Sequence, residues 1–378
     1  MSPVERGHVG IVPAGALGVA FYHHLAAQKK GRVSFLERAG SASGAALRGG
    51  VLEIAGRRVE VPWRSDLEQG LEAGWLPEIV LVCTQPDQLL GMMKTIVHLL
   101  EMLLARGGAG DPVVDLPTFI LTSNGIYFQR VRQYFGEALE EAMMFGRLPD
   151  LWESGCMPRI VGKLLRGVTI QTGQRDGHGA AAHYRPGPRG RTRLAGGEAS
   201  VRARAVEVLG SLGGWFDESA APATRVEFDK ALINLCANLL GQLHAIDEAG
   251  NFRLLTVREI LAEEGRAETR ELAGHVIAVG QAVRAYGAGE DFEALYEEML
   301  SNARQHLDHI PSSLQWIEQQ LRRGVLEPRL TPTERWLLEP LIRYAHGAGL
   351  EAAAHYFEHL TRRLEHRLAL AARRSSRR

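Results

Sequence analysis

The chain has 378 residues, enough for two domains with sizeable hydrophobic cores. Its 44 basic and 44 acidic side chains give a net charge of zero at pH 7, which argues against a nucleic-acid partner. No apolar run approaches the ~18 residues of a membrane span, and the three cysteines, an odd number without C-x-x-C spacing, predict reduced thiols in a cytoplasmic protein.

In the first half, apolar runs alternate with helical patterns, which predicts a parallel sheet with helices on both faces. The predicted strands are 8–12, 32–36, 79–83 and 118–121, and the predicted helices are 16–28 and 87–104. Two further apolar segments between Val168 and Leu194 predict added strands, with a mobile loop over 173–193. The first domain is therefore predicted to be a Rossmann-like domain over residues 1–200.

A glycine turn joins the first predicted strand to the first predicted helix, with the sequence Pro13-Ala14-Gly15-Ala16-Leu17-Gly18. In the dinucleotide fingerprint G-x-G-x-x-G, the glycines make the turn, admit the pyrophosphate and pack the helix onto the strand. Gly15 and Gly18 occupy the last two places, whereas Pro13 stands at the first. The pattern predicts a dinucleotide site, and the alternative is a turn whose small residues serve packing alone. Because proline lacks a backbone N–H, Pro13 predicts altered cofactor affinity.

The second half changes to long helical periodicities, which predict an all-helical domain over residues 201–378 with a short basic tail. The predicted helices are 201–212, 225–246, 257–264, 269–286, 292–306, 313–323, 333–348 and 351–372.

One of these helices carries a polar row in an otherwise apolar sequence. Lys230, Asn234, Asn238 and Gln242 follow one another at four-residue spacing, and every residue between them is apolar or glycine. Such a helix is predicted to be mostly buried, and buried polar groups must be paired. Either polar groups elsewhere in the protein pair with the row, or a polar ligand completes it. Its position after a predicted nucleotide-binding domain favours the ligand.

Together these segments resemble the ketopantoate reductase family, whose members have an N-terminal Rossmann domain and an all-helical C-terminal domain. The resemblance rests on motifs in the same order along the chain: the glycine turn 13–18, Arg38 after strand two, Asn124-Gly125, Lys230-x-x-x-Asn234-x-x-x-Asn238, Ser312-Ser313-Leu314-Gln315 and Thr333-Glu334.

The resemblance implies a role for each matched residue. The residues implied to bind the cofactor are Pro13, Ala14, Gly15, Ala16, Leu17, Gly18, Arg38, Gln85 and Asn124. The residues implied to act in catalysis are Lys230 and Asn234. The residues implied to bind the substrate are Asn238, Ser312 and Glu334. Four features depart from the family pattern. Pro13 replaces the first glycine, and Glu339-Pro340 replaces the Asn-Gly that usually follows Thr-Glu. Gln85 stands near the place of a usual lysine, and a longer interval after Ser312 makes Glu327 a competitor of Glu334 for the substrate carboxylate.

The implied activity is NADPH-dependent reduction of the ketone of a 2-keto acid, with 2-dehydropantoate, a precursor in pantothenate biosynthesis, as the first candidate. Glu37 at the end of strand two favours NAD(H), whereas Arg38 favours NADPH, which we prefer. The alternatives are an opine- or hydroxyacid-type dehydrogenase and a non-catalytic nucleotide-binding protein. No metal is expected. His355, Glu358 and His359 match the H-x-x-E-H pattern of zinc proteases, but the two histidines lack a third metal ligand. The expected partner is a small-molecule substrate, and a homodimer is left open.

Overall fold

The structure is a computed structural model that describes residues 2–26, 32–37, 44–47, 49–106, 111–177 and 179–375. The chain forms two compact units. Unit 1 comprises Met1–Asn124 and Phe128–Ala223, and unit 2 comprises Gly125–Tyr127 and Thr224–Arg378.

Unit 1 contains all twelve strands found in the described part of the chain. They are β1 (Val4–Val12), β2 (Val33–Leu36), β3 (Val51–Ile54), β4 (Arg57–Glu60), β5 (Trp63–Arg64), β6 (Leu76–Val82), β7 (Thr118–Leu121), β8 (Leu164–Thr169), β9 (Gly173–Asp176), β10 (His183–Pro186), β11 (Thr192–Ala195) and β12 (Phe216–Glu218). Its helices are α1 (Ala16–Ala26), α2 (Gly44–Leu47), α3 (Leu67–Glu72), α4 (Leu89–Ala105), α5 (Pro112–Asp115), α6 (Phe128–Met144), α7 (Cys156–Gly162) and α8 (Ala199–Ser211).

Eight strands form one sheet in the order β12-β11-β8-β7-β6-β1-β2-β5. From β8 to β5 every neighbouring pair is parallel, whereas β8 and β11 are antiparallel. The central strands are continuous runs of buried residues, for example Val80, Leu81 and Val82 in β6, as expected of a sheet covered on both faces. The predicted parallel sheet and its helices are confirmed.

A second sheet of four strands, in the order β4-β3-β10-β9, was not predicted. It includes β9 and β10, an antiparallel pair within the segment that we expected to be a mobile loop, so that expectation was wrong. The strands are short, all but β3 are mostly polar, and β10 pairs with β3, about 130 residues earlier in the chain (His183 with Glu53). Hydrophobic periodicity cannot reveal a strand whose order comes from such a distant partner.

Helix α8 also belongs to unit 1, although the predicted boundary at residue 200 assigns most of it to the second domain. Its residues Ala205, Val208 and Leu209 are buried in the same hydrophobic cluster as Val9 and Ile11 of β1. An amphipathic helix that covers a sheet has the same sequence pattern as one that packs on other helices. The division of the structure falls instead between Ala223 and Thr224.

One helical segment in the described residues, Pro86–Ala105, is long and apolar enough to cross a membrane by length and composition. Its residues Leu89, Met93, Ile96 and Leu100 are at most 1% exposed in unit 1. Core helices of globular domains pass the same test, so this segment is weak evidence for a membrane span.

Unit 2 is helical. Its helices are α9 (Ala223–Asn234, from Thr224 onward), α10 (Leu240–Ala245), α11 (Val257–Ile260), α12 (Arg266–Ala282), α13 (Phe292–Arg304), α14 (Ser312–Arg323), α15 (Pro332–Gly347) and α16 (Glu351–Ser375). A π-helical turn, Leu235–Leu239, joins α9 to α10. The predicted all-helical architecture of this part of the chain is confirmed.

Three hydrogen-bonded side chains connect three helices of unit 2. Glu268 on α12 accepts hydrogen bonds from His244 on α10, at 2.7 Å, and from Arg363 on α16, at 2.5 Å. The hydrogen bond from His244 and the nearby Arg363 guanidinium hold the pKa of Glu268 at about 2 despite its partial burial.

We expect Glu268→Gln to destabilise unit 2 by about 2–3 kcal/mol at pH 7, because the lowered pKa stabilises the folded state when the carboxylate is charged. This contribution is complete above the ordinary pKa of 4.5 and is lost as the pH falls towards 2. Urea denaturation of both proteins at pH 7, 5 and 3 measures the difference. A gap between the proteins that stays constant at all three pH values would contradict this assignment.

Candidate functional site

The glycine turn of unit 1 is shaped by contacts that only glycine permits. A Cβ on Gly18 would lie 2.2 Å from the carbonyl oxygen of Pro13, so a larger residue would displace the turn. At Gly15 the nearest atom to such a Cβ is Pro13 Cγ, 3.9 Å away, which leaves room beside the backbone. Gly18 therefore packs the helix against the turn, and Gly15 leaves its surface open to a ligand.

The first turn of α1 offers donors to an anion. The first hydrogen bond of the helix runs from the Val19 N–H to the Gly15 carbonyl, at 2.9 Å, and the N–H groups of Ala16, Leu17 and Gly18 come before it. Such N–H groups, together with the positive end of the helix dipole, bind phosphates. These residues fit a dinucleotide pyrophosphate.

Ala14 is held from two sides. Its N–H donates to Glu37 Oε1 at 2.8 Å, and its carbonyl accepts from the Tyr184 hydroxyl at 2.9 Å. Glu37 follows β2 and is 3% exposed, while Tyr184 on β10 is 1% exposed. The sequence pointed to Glu37 as a ribose ligand but not to Tyr184, whose strand belongs to the unpredicted sheet. Arg38, the predicted partner of a 2′-phosphate, lies outside the described residues.

The other predicted cofactor residues follow neighbouring parallel strands. Gln85 is exposed just beyond β6, and Asn124 is exposed just beyond β7. Because β1, β6 and β7 are adjacent and parallel, the glycine turn, Gln85 and Asn124 lie along the same carboxyl edge of the sheet. The strand order switches at β1, since β2 lies on one side of it and β6, which follows later in the chain, lies on the other. Ligands bind at such switch points in open α/β sheets.

A buried arginine supports the loop that carries Asn124. Arg166 on β8 is 2% exposed and donates to the carbonyls of Leu121 and Gly167 through Nη1, at 2.8 and 2.9 Å. Its Nη2 donates to the Ser123 carbonyl at 2.8 Å. Arg166 therefore fixes the backbone immediately before Asn124. This role was not predicted, because one arginine in an apolar strand gives no sign of its partners.

The thiol of Cys83, which follows β6, does not act as a nucleophile in this arrangement. Burial raises its pKa to about 12, although the Thr122 hydroxyl donates to the sulfur at 3.3 Å. A thiol of that pKa stays protonated at neutral pH, so its chemistry here is that of a packed side chain.

Gly125 begins the short segment of the chain that belongs to unit 2. Its φ is +128°, and a Cβ would lie 2.9 Å from Trp336 Cβ, so only glycine fits. The next residue, Ile126, donates its N–H to the Trp336 carbonyl at 3.0 Å. This geometry explains the glycine of the Asn-Gly pair.

In unit 2 the polar row (Lys230, Asn234, Asn238 and Gln242) lies on the helix that contains the π-helical turn. In a regular helix, four-residue spacing drifts about 40° per step. The wider π turn between Asn234 and Asn238 opposes that drift. The Asn238 amide accordingly donates to Asn234 Oδ1 at 3.4 Å. The π turn was not predicted, and it reduces the drift between Asn234 and Asn238.

Lys230 is partly buried, and no hydrogen bond or ion pair reaches its ammonium group from the described part of the chain. Burial lowers its pKa to about 8. The charge of Lys230 in turn contributes to a lowered pKa of His309, after burial and the nearby His306. A lysine in this state holds a proton that it can give up near neutral pH.

The far end of the row meets a buried carboxyl group. Gln242 Nε2 donates to Glu334 Oε1 at 2.9 Å, and the two side chains are 1% and 3% exposed. Glu334 Oε2 is buried and has no hydrogen-bond partner within the described ranges, and burial raises the pKa of this carboxyl group. Glu327, the competing candidate, is exposed and pairs with Arg329. The structure therefore places Glu334, and not Glu327, with the row.

Of the two serines at the start of α14, Ser313 contacts the row. Its hydroxyl donates to Asn238 Oδ1 at 3.4 Å, while Ser312, the predicted substrate ligand, is exposed. Within the residues that the structure describes, no group of three or more His, Cys, Asp or Glu side chains is placed to hold a metal ion.

No known family profile matches this sequence, and no curated protein sequence matches it. Solved structures do match, at low identity. D-mandelate dehydrogenase in complex with NADH and anilino(oxo)acetate has a TM-score of 0.62 at 16% identity, over 96% of this chain and 98% of that chain. The 2-dehydropantoate 2-reductase of Geobacter metallireducens GS-15 has a TM-score of 0.59 at 19% identity, over 95% and 99%.

A putative ketopantoate reductase from Ralstonia solanacearum MolK2 is similar to the same extent, with a TM-score of 0.58 at 18% identity, over 99% of this chain and 98% of that chain. The matches cover nearly the whole of each chain, so this protein has the two-part fold shared by ketopantoate reductases and D-mandelate dehydrogenase. At these identities the likeness establishes the fold alone, and the predicted resemblance is confirmed at that level.

Proposed function

We propose that this protein is a nicotinamide-dependent reductase that transfers hydride to the ketone carbon of a 2-keto acid. The observation that carries the proposal is Lys230, a partly buried lysine whose pKa is about 8 and whose ammonium group meets no hydrogen-bond or ion-pair partner among the described residues. It lies at one end of the polar row, and Gln242 at the other end donates to a buried carboxyl group, Glu334. The fold supports the proposal, because the solved relatives include 2-keto acid reductases and a 2-hydroxyacid dehydrogenase.

In this proposal unit 1 binds the cofactor through the α1 amides, the glycine turn 13–18, Gln85 and Asn124, with Arg38 as a further ligand. When bound, the dihydronicotinamide supplies the hydride. We keep NADPH as the first candidate because of Arg38. Glu37 beside Ala14 favours NADH, which is the cofactor in the D-mandelate dehydrogenase structures.

Unit 2 supplies the acid. As the ketone carbon gains hydride, negative charge develops on its oxygen, and the Lys230 ammonium stabilises that charge and donates the proton that completes the alcohol. Asn234 orients the lysine or the ketone oxygen. Asn238, Ser312 and Glu334 bind the polar groups of the substrate remote from the ketone. These roles need no metal ion.

Thermal unfolding with NADPH or NADH, followed by cofactor oxidation against a panel of substrates, tests the proposal. The panel contains 2-dehydropantoate, aryl-substituted 2-keto acids, short 2-keto acids, and 2-keto acids mixed with amino acids. We expect stabilisation by a cofactor and oxidation with at least one 2-keto acid. Oxidation only in the mixtures indicates opine-type chemistry, the second candidate. Stabilisation without oxidation by any substrate indicates a non-catalytic nucleotide-binding protein and contradicts the proposal.

Glu334→Gln is expected to raise KM at least about 10-fold, with a smaller effect on kcat. Glu334 has two side-chain oxygens, and one of them already accepts from Gln242. A glutamine at this position has a single oxygen, which Gln242 occupies, so no acceptor is left for the substrate. Steady-state kinetics with the best substrate of the panel measures the change, with Glu327→Gln as the matched control. An equal rise of KM in both variants would remove Glu334 from the substrate site.

A further inference from the structure

Arg175, on strand β9 of the second sheet, is close to the glycine turn. Its guanidinium carbon lies 5.9 Å from the centroid of the Tyr184 ring. The hydroxyl of that tyrosine donates to the Ala14 carbonyl. Burial raises the pKa of Tyr184, with Arg175 opposing the shift and Glu37 adding to it. Arg175 and Glu37 therefore bring opposite charges to the same tyrosine.

Apart from the Tyr184 ring, the guanidinium of Arg175 has no polar partner among the residues that the structure describes. Its Nε is buried without a hydrogen-bond acceptor, and no hydrogen bond or ion pair reaches the side chain from the rest of the described chain. Arginine cannot lose its proton, and an unsatisfied buried N–H is costly. An arginine that is held at a ligand-binding turn without an acceptor is suited to bind an anion that arrives from solution.

Strand β9 also runs against the start of α1, where the dinucleotide phosphates are proposed to bind. A Cβ on Gly173, two residues before Arg175, would lie 2.4 Å from the Ala16 carbonyl oxygen. This close approach of the two backbones fixes the position of β9 relative to the turn. Arg175 is therefore carried on a strand with a defined place beside the predicted cofactor site.

We propose that Arg175 binds the 2′-phosphate of NADPH. This inference rests on the proposed function, which supplies NADPH as the ligand. Glu37 occupies the place where a carboxylate takes a ribose 2′-hydroxyl and would repel a 2′-phosphate. Arg175 approaches the same turn from the second sheet, offsets that repulsion and offers planar N–H donors that match a phosphate. Selectivity for the phosphorylated cofactor then depends on β9 as well as on Arg38.

Calorimetric titration of adenosine 2′,5′-bisphosphate, 5′-AMP, NADPH and NADH into wild-type protein and Arg175→Gln tests this role. We expect the variant to bind adenosine 2′,5′-bisphosphate and NADPH at least about 10-fold more weakly, with 5′-AMP and NADH within about twofold of wild type. The matched control is Arg185→Gln, an exposed arginine of β10 that pairs with Asp176. It should leave all four affinities unchanged.

Arg175 is not a 2′-phosphate ligand if the variant keeps wild-type affinity for adenosine 2′,5′-bisphosphate. An equal loss for all four ligands would mean that it only supports the turn, and wild-type protein that binds NADH but not NADPH would also overturn the inference. Wild-type protein that binds no dinucleotide overturns the proposed function as well. A phosphate-selective loss without any reductase activity would leave the Arg175 site standing and remove only the proposed reaction.

Discussion

Lys230→Met should lower kcat for ketone reduction at least about 100-fold and leave cofactor affinity within about twofold of wild type. Methionine keeps most of the volume of the lysine side chain but has neither charge nor proton. The substitution therefore slows the step in which negative charge develops on the substrate oxygen. Steady-state kinetics and direct cofactor titration separate the two effects.

The pH profile gives a second measurement of the same role. The pKa of Lys230 is about 8, so kcat/KM for reduction should be level at lower pH and should fall as the pH rises through that value. Any residual activity of Lys230→Met should lack this fall. Lys163→Met is the matched control, because burial also lowers the pKa of Lys163, a lysine of unit 1 outside the polar row. Similar losses in the two variants would refute the role of Lys230.

The same substitution is expected to stabilise the protein. A lysine whose pKa falls from 10.5 to about 8 on folding opposes folding while it is charged. Lys230→Met should therefore raise the free energy of unfolding at pH 7 by about 1–3 kcal/mol, measured by urea denaturation. The difference should shrink between pH 8 and 10.5, where the folded wild-type protein loses the proton first. A residue that costs stability and is required for turnover acts in function and not in packing.

The helices of unit 2 could be predicted closely because their signal is local. An apolar stripe at helical spacing marks each one, and the structure places α12 to α16 within a few residues of the predicted bounds. The polar row was visible for the same reason. The π turn was not, since Leu235–Leu239 has no composition that distinguishes it from a regular helix.

Unit 1 shows where local patterns fail. The buried parallel strands are apolar runs and were predicted. In contrast, β3, β4, β9 and β10 are short strands, of which all but β3 are mostly polar, and the pairing of β3 with the distant β10 joins them into one sheet. Tyr184 and Arg175 lie on two of them and could not be assigned to the glycine turn.

In unit 2, motif order identified both Glu334 and Glu327 as candidate substrate ligands. Only the burial of Glu334 and its hydrogen bond to Gln242 distinguished them. A sequence shows which groups are available, whereas their partners depend on the packed structure.

Arg166→Met should destabilise unit 1 by about 3 kcal/mol or more and weaken cofactor binding. The guanidinium holds the carbonyls of Leu121, Ser123 and Gly167 in a buried setting, and methionine leaves all three without that donor. Because the Leu121 and Ser123 carbonyls lie within three residues before Asn124, the loop should lose its fixed position, and cofactor affinity should fall in addition to stability. Urea denaturation and cofactor titration below the unfolding transition measure the two losses.

Arg193→Met is the matched control, since this arginine lies on the adjacent strand β11 and is exposed. It should change the free energy of unfolding by less than about 0.5 kcal/mol. Arg166→Lys separates charge from geometry: a lysine restores a buried cation but cannot reach three carbonyls with a planar fork, so it should recover little of either loss. Full recovery by lysine, or wild-type cofactor affinity in Arg166→Met, would show that the loop around Asn124 keeps its position without this guanidinium.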